Sequence, residues 1–127
     1  MDFKTGKLSL DQIESILNGL PGDITFVGSD DAIRYYNEPS PRLFKRDPSI
    51  IGKSVQACHP EKSVPLVDQI LDDLKSGRKD VGQSWAHLDG RLVSVRYMAL
   101  RGAGGEYLGC MEFAEDVSQV KEHIEAP

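Results

Sequence analysis

No apolar run in this chain approaches the roughly 20 residues that a membrane-spanning helix needs. The opening Met1-Asp-Phe-Lys-Thr-Gly-Lys7 has no apolar signal core. Cysteine is scarce, with only Cys58 and Cys110, far apart in sequence, in 127 residues. A disulfide framework is therefore not indicated, and free thiols in a reducing, cytoplasmic setting are expected. Positive charge is in deficit: 15 Lys and Arg stand against 20 Asp and Glu, for a net charge of −5. That balance argues against a nucleic-acid or anionic-membrane partner, either of which needs a basic face. His59, His87 and His123 have no metal-ligand spacing, no nucleophile–base pair is suggested, and there is no repeat or low-complexity segment. The expected class is non-enzymatic.

The residues present suffice for one core. Ser9 and Gln12 form a capping box ahead of Leu10, Ile13, Ile16, Leu17 and Leu20, which recur at helical spacing, so a first amphipathic helix is expected over 8–20. Asp23–Gly28 and Ala32–Asn37 read as strands joined by the turn residues Ser29-Asp30-Asp31. Pro39, Pro41 and Pro48 break the next stretch, where one-turn helices anchored by Leu43 and Phe44 are expected. A second helix over 61–76 carries Val64, Val67, Ile70, Leu71 and Leu74 on one face, with Ser63 as its N-cap and Gly77 at its end. Val81–Leu88 and Arg91–Arg101 flank Asp89-Gly90, a type I′ hairpin signal. Gly102–Glu106 then leads into Tyr107–Glu115. No helix follows those glycines, which favours a hairpin loop over a phosphate cradle. Asp116 and Gln119 open a last helix carrying Val117, Val120 and Ile124.

The order is that of an α+β domain. Its five-stranded antiparallel sheet carries short helices and one long helix on one face, with flanking N- and C-terminal helices. It resembles a PAS domain. The resemblance rests on Asp23-Ile-Thr-Phe-Val with Ile33-Arg-Tyr-Tyr-Asn37, on Ile51-Gly52, on Gly105-Glu-Tyr-Leu-Gly109 and on Asp116-Val-Ser118. More narrowly, Val55-Gln-Ala-Cys-His-Pro-Glu-Lys-Ser63, Trp85 and Val95-Arg-Tyr97 resemble the PAS domains of hemerythrin-associated proteins of unknown function. This chain departs from their run at Ala57 and Glu61. The resemblance implies an N-terminal flanking helix over 1–22, a PAS core over 23–116 and the start of an output helix over 117–127. It also implies a sensory module holding a small ligand between sheet and short helices.

Within that frame Cys58-His59 is the central candidate. His59 reads either as an axial haem-iron ligand or as a histidine whose ring satisfies backbone carbonyls at a Pro-bounded turn. Cys58 reads as a packed thiol or secondary ligand. Ala57 and His59-Pro-Glu-Lys62 do not match the flavin-adduct motif of light-sensing PAS domains. Strand alternation and the resemblance place Val93, Val95, Tyr97, Met111 and Phe113 toward the pocket, with Met111 as pocket wall or sixth ligand and Trp85 beside His87 as further lining. Leu92, Met98, Leu108 and Cys110 are assigned to an outer apolar patch. The helix bearing Leu10, Ile13, Ile16 and Leu17 would cover it, its own or a partner's, which gives the expectation of a homodimer. The other expectation is a cofactor-free PAS dimerisation or protein-interaction module.

Overall fold

The computed structural model describes residues 1–39 and 41–125. Two short strands, β1 (Asp2–Phe3) and β2 (Gly6–Lys7), form an N-terminal hairpin that the sequence pattern did not announce. Helix α1 (Leu10–Asn18) follows. Its capping box forms as read: the Ser9 hydroxyl accepts from the Gln12 amide at 3.1 Å, and Gln12 Oε1 accepts from the Ser9 amide at 2.9 Å. Gly19 closes it.

Strands β3 (Asp23–Gly28), β4 (Ile33–Tyr36), β5 (Val81–Leu88), β6 (Arg91–Arg101) and β7 (Tyr107–Asp116) make one antiparallel sheet in the order β4-β3-β7-β6-β5. The hairpin turns are set by local chemistry. Asp89 and Gly90 both have positive φ, 50° and 79°, as a type I′ turn requires, and Asp31 sits at φ 66°. Helix α2 (Val64–Ser76) ends on Gly77 in the left-handed region, with Leu71 and Leu74 buried. Ser63 precedes it without a side-chain capping bond, because the one-turn 3₁₀ helix Glu61–Ser63 runs straight into α2. Helix α3 (Ser118–Glu125) is tied to the sheet where Ser118 Oγ accepts from the Leu92 amide at 2.9 Å.

The expected one-turn helices lie later than their prolines suggested. They occupy Pro48–Ile50, Gln56–Cys58 and Glu61–Ser63, whereas residues 41–47 run as irregular chain. That chain is held by side chains. The Asp23 carboxylate accepts from the Leu43 and Phe44 amides, and Arg42 donates from Nε to the Phe44 carbonyl at 2.6 Å.

Residues directly opposite in antiparallel strands share a face. The register pairs Thr25 with Glu112, Glu112 with Tyr97, Val27 with Cys110, and Val95 with both Ala114 and Ser84. These form the inner face, under α2 and the short helices. Its core has two parts: Val27, Ile33, Val55, Leu71, Leu74 and Cys110 in one, and Val93, Val95 and Ala114 in the other, beneath Leu43 and Phe44. Phe26, Met111, Phe113, Met98, Leu92 and Trp85 occupy the opposite, outer face.

Candidate functional site

Between the inner sheet face and the segment from Arg42 to His59 lies a cleft of about 810 Å³, the size of a small-molecule site. Ile33, Ile50, Val55, Phe44 and Val95 make its apolar walls. Thr25, Arg46, His59, Tyr97 and Glu112 bring polar groups to it. A smaller cavity of about 40 Å³ lies behind, toward α2, and His59, Tyr97, Glu112 and Val55 border both.

His59 ends the Gln56–Cys58 turn. Its ring Nδ1 lies 2.8 Å from the Val55 carbonyl. A carbonyl only accepts, so Nδ1 carries a proton; Nε2 is then an acceptor in the neutral ring and a donor in the charged one. Nε2 has no hydrogen-bond partner among the described residues. The turn is itself pinned: Gln56 Nε2 donates to Asp31 Oδ2 at 3.2 Å and to Asp68 Oδ1 at 3.0 Å, joining the β3–β4 turn to α2. Cys58 is exposed and borders the cleft.

Of the other expected pocket residues, Val95 and Tyr97 line the cleft, and burial pushes the Tyr97 hydroxyl up to about 12. Val93 is on the inner face but sealed under Leu43 and Phe44. Met111, Phe113 and Trp85 require correction. The β6–β7 register sets Tyr97 opposite Glu112, so Met111 and Phe113 point away from the cleft. Trp85 pairs with Ser94 on the outer face and is 58% exposed, while its neighbours Ser84 and Ala86 face the cleft. Cys110, assigned to the outer patch, is buried on the inner face, where burial pushes its thiol up to about 12. Leu92 and Met98 are on the outer face as expected.

The register error hid the residue with the sharpest chemistry. Glu112 presents a carboxyl group to the cleft with its side chain 19% exposed. Burial raises its pKa, and the charges of Arg46 and His59 only partly offset that. Arg46 Nη2 stands 3.7 Å from Glu112 Oε1, outside hydrogen-bond range, and no donor from the described residues reaches the carboxyl oxygens. Arg46 also lies over the Phe44 ring and 3.5 Å from Thr25 Oγ1. The one signal that could have found Glu112 is Gly109: glycine inside a strand marks a bulge and so a change of alternation. Among the described residues, no group of three or more His, Cys, Asp or Glu side chains could hold a metal ion. No described helix is long and apolar enough to cross a membrane.

A five-stranded antiparallel sheet with one face roofed by α2 and one-turn helices, and a cleft on that face, defines an α+β domain. The chain belongs to the PAS domain family, whose model matches residues 13–118. A C-terminal domain from Streptococcus mutans is 37% identical, with a TM-score of 0.90 over 97% of this chain and 96% of that one. A sensory box sensor histidine kinase from Vibrio cholerae is 16% identical with a TM-score of 0.60, covering 84% of this chain and 89% of its own. A PAS domain from Colwellia psychrerythraea is 14% identical with a TM-score of 0.62, covering 87% and 98%. No curated protein sequence matches the chain.

Proposed function

We propose that this PAS domain is a non-enzymatic sensory or signalling module that takes a small molecule in the cleft beside His59 and signals as a homodimer. The observation that carries the reading is the His59 ring, fixed through Nδ1 while Nε2, at the wall of the cleft of about 810 Å³, has no partner among the described residues. Structural neighbours that belong to sensor histidine kinases lend it support. The Cys58-His59-Pro60 run supports the narrower placement beside hemerythrin-associated PAS domains.

Haem was the cofactor to weigh. His59 Nε2 suits an axial ligand whose other ring nitrogen is held by a carbonyl, and Arg42, Lys45 and Arg46 at the cleft could face propionates. Glu112 does not fit. A porphyrin covering it would desolvate a carboxyl group and offer it no donor. An organic ligand suits the donor set better.

The test is titration with the uncharged apolar fluorophore Nile red and, separately, with haem, on wild type, His59→Ala and Ala86→Trp. Wild type is expected to enhance the dye's fluorescence, and the tryptophan, which fills the cleft from β5, to abolish most of that rise. A haem Soret band lost in His59→Ala would instead make His59 an iron ligand. Dye binding that ignores Ala86→Trp, with no haem uptake, would favour the cofactor-free module.

The dimer reading rests on apolar surface left uncovered. No residue of α1 is buried, and Leu10 and Ile16 are 70% and 52% exposed. Val81, Trp85 and Leu108 are exposed large apolar residues of the sheet. Leu10→Glu with Ile16→Glu is expected to shift a sedimenting dimer to monomer without loss of helix. A wild type that sediments as a monomer at 100 µM, roughly the upper range of a functional affinity, would remove this part of the reading.

A further inference from the structure

We propose that the cleft selects an uncharged small molecule, a lactam- or amide-type heterocycle, whose N–H donates to Glu112. The inference rests on the small-ligand reading above and names the ligand's chemistry.

It begins from an acceptor surplus. Glu112 Oε1 and Oε2 receive no hydrogen bond from the described residues, and the Arg46 guanidinium stands off at 3.7 Å. In its neutral form the His59 ring adds a further acceptor at Nε2, since Nδ1–H faces the Val55 carbonyl. An occupant that closes over these acceptors takes them from water, so one that brings a donor is favoured over one that does not. Thr25, Tyr97 and Arg46 bring donors to the same cleft. An occupant with an N–H beside a carbonyl or ring nitrogen serves both sets at once.

The surrounding charges remove the neighbouring classes. Arg42, Lys45 and Arg46 line the cleft together with Glu112 and Asp47, so a cationic amine or a carboxylate at the Glu112 floor meets like charge beside its partner, and an uncharged occupant does not. Burial, which raises the Glu112 pKa, does not change the requirement: the ionised carboxyl is acceptor-only and the neutral one keeps an acceptor oxygen. The mixed wall of Ile33, Ile50, Val55 and Phe44 accommodates one or two flat rings.

The probes are 2-pyridone and uracil, each against its N-methylated counterpart, followed by amide chemical shifts of the ¹⁵N-labelled protein. The N–H probes are expected to shift Thr25, Val95 and Tyr97, and N-methylation to weaken binding roughly tenfold, the effect of one lost hydrogen bond. Glu112→Leu is expected to erase that discrimination, and Glu112→Gln, which keeps an acceptor oxygen, to retain part of it. Equal binding of N–H and N-methyl probes overturns the proposal, as does the absence of any probe binding to a protein that still takes up Nile red. Failure of the dye, haem and all probes together overturns instead the ligand reading on which it rests. Should Glu112→Leu not fold, Glu112→Ala takes its place, and discrimination undiminished in that variant overturns the proposal.

Discussion

Asn37→Ala is expected to lower the unfolding free energy by about 3–4 kcal/mol, the largest single-residue effect outside the apolar core. Asn37 is fully buried at the end of the β3–β4 hairpin. Its Oδ1 accepts from the Ile24 amide at 2.7 Å, and its Nδ2 donates to the Leu17 carbonyl at 2.8 Å and the Gly22 carbonyl at 3.1 Å. One side chain thus joins the end of α1, the α1–β3 connection and the first residues of β3. Alanine removes all three bonds and strands backbone groups that water does not reach freely, each costing about 1–3 kcal/mol when buried. The Leu17 carbonyl is only part-buried, which keeps the total at the lower end. In a chain of this size the thermal midpoint should fall by roughly 10–15 °C. Asn37→Asp keeps the acceptor for Ile24 but turns a carboxylate toward two carbonyls, so it should do no better than alanine. A midpoint within about 3 °C of wild type for either variant, measured by calorimetry, would refute the account.

Asn37 was legible only through the resemblance, as the asparagine on which the first hairpin closes; its partners Leu17, Gly22 and Ile24 are distant in sequence and meet it only in the fold. The Ser9–Gln12 capping box, the Asp89-Gly90 turn and the Gly77 helix stop were legible for a different reason. Each depends on residues within one turn of one another, and the chain carries the whole instruction locally. Segment 41–47 was misread because prolines there exclude strand and long helix without choosing between a one-turn helix and a clamped loop. The choice is made by Asp23, some 20 residues upstream, whose carboxylate takes the Leu43 and Phe44 amides. Gln56 was silent for the same reason: its partners Asp31 and Asp68 meet only in the fold.

The face of β7 was the costliest misreading for the site. β7 is a central strand, between β3 and β6, and both its faces are covered in part. Charge therefore no longer marks the solvent side. Met111 and Phe113 are the larger apolar residues and looked like pocket wall; the smaller set of Cys110 and Ala114 with Glu112 between them faces the interior. His59 itself was legible from its motif, while the polar floor opposite it was not, because that floor depends on register, and a slip of one residue exchanges every side chain between faces.

Gly109→Ala tests that register and is expected to cost about 2–3 kcal/mol, mainly through overpacking against backbone. Gly109 has φ 152°, pairs with Gly28 of β3 and Leu100 of β6, and sits where the β6–β7 ladder shifts. A Cβ there would run into the Val27 carbonyl oxygen and lie 2.7 and 2.8 Å from the Phe26 ring. The ring can turn aside. The carbonyl belongs to the neighbouring strand, so relief needs the β3 and β7 backbones to part. Gly105→Ala is the control, because its φ of 84° strains alanine but nothing lies within 4 Å of the added carbon; it should cost about 1 kcal/mol. The gap between the two, read from urea unfolding, isolates the close approach of β7 to β3. If Gly109→Ala proved no worse than Gly105→Ala, the strands would not meet at this glycine. The alternation would then run as the larger side chains suggest, returning Met111 to the cleft and taking Glu112 out of it, with any ligand chemistry that depends on its carboxyl group.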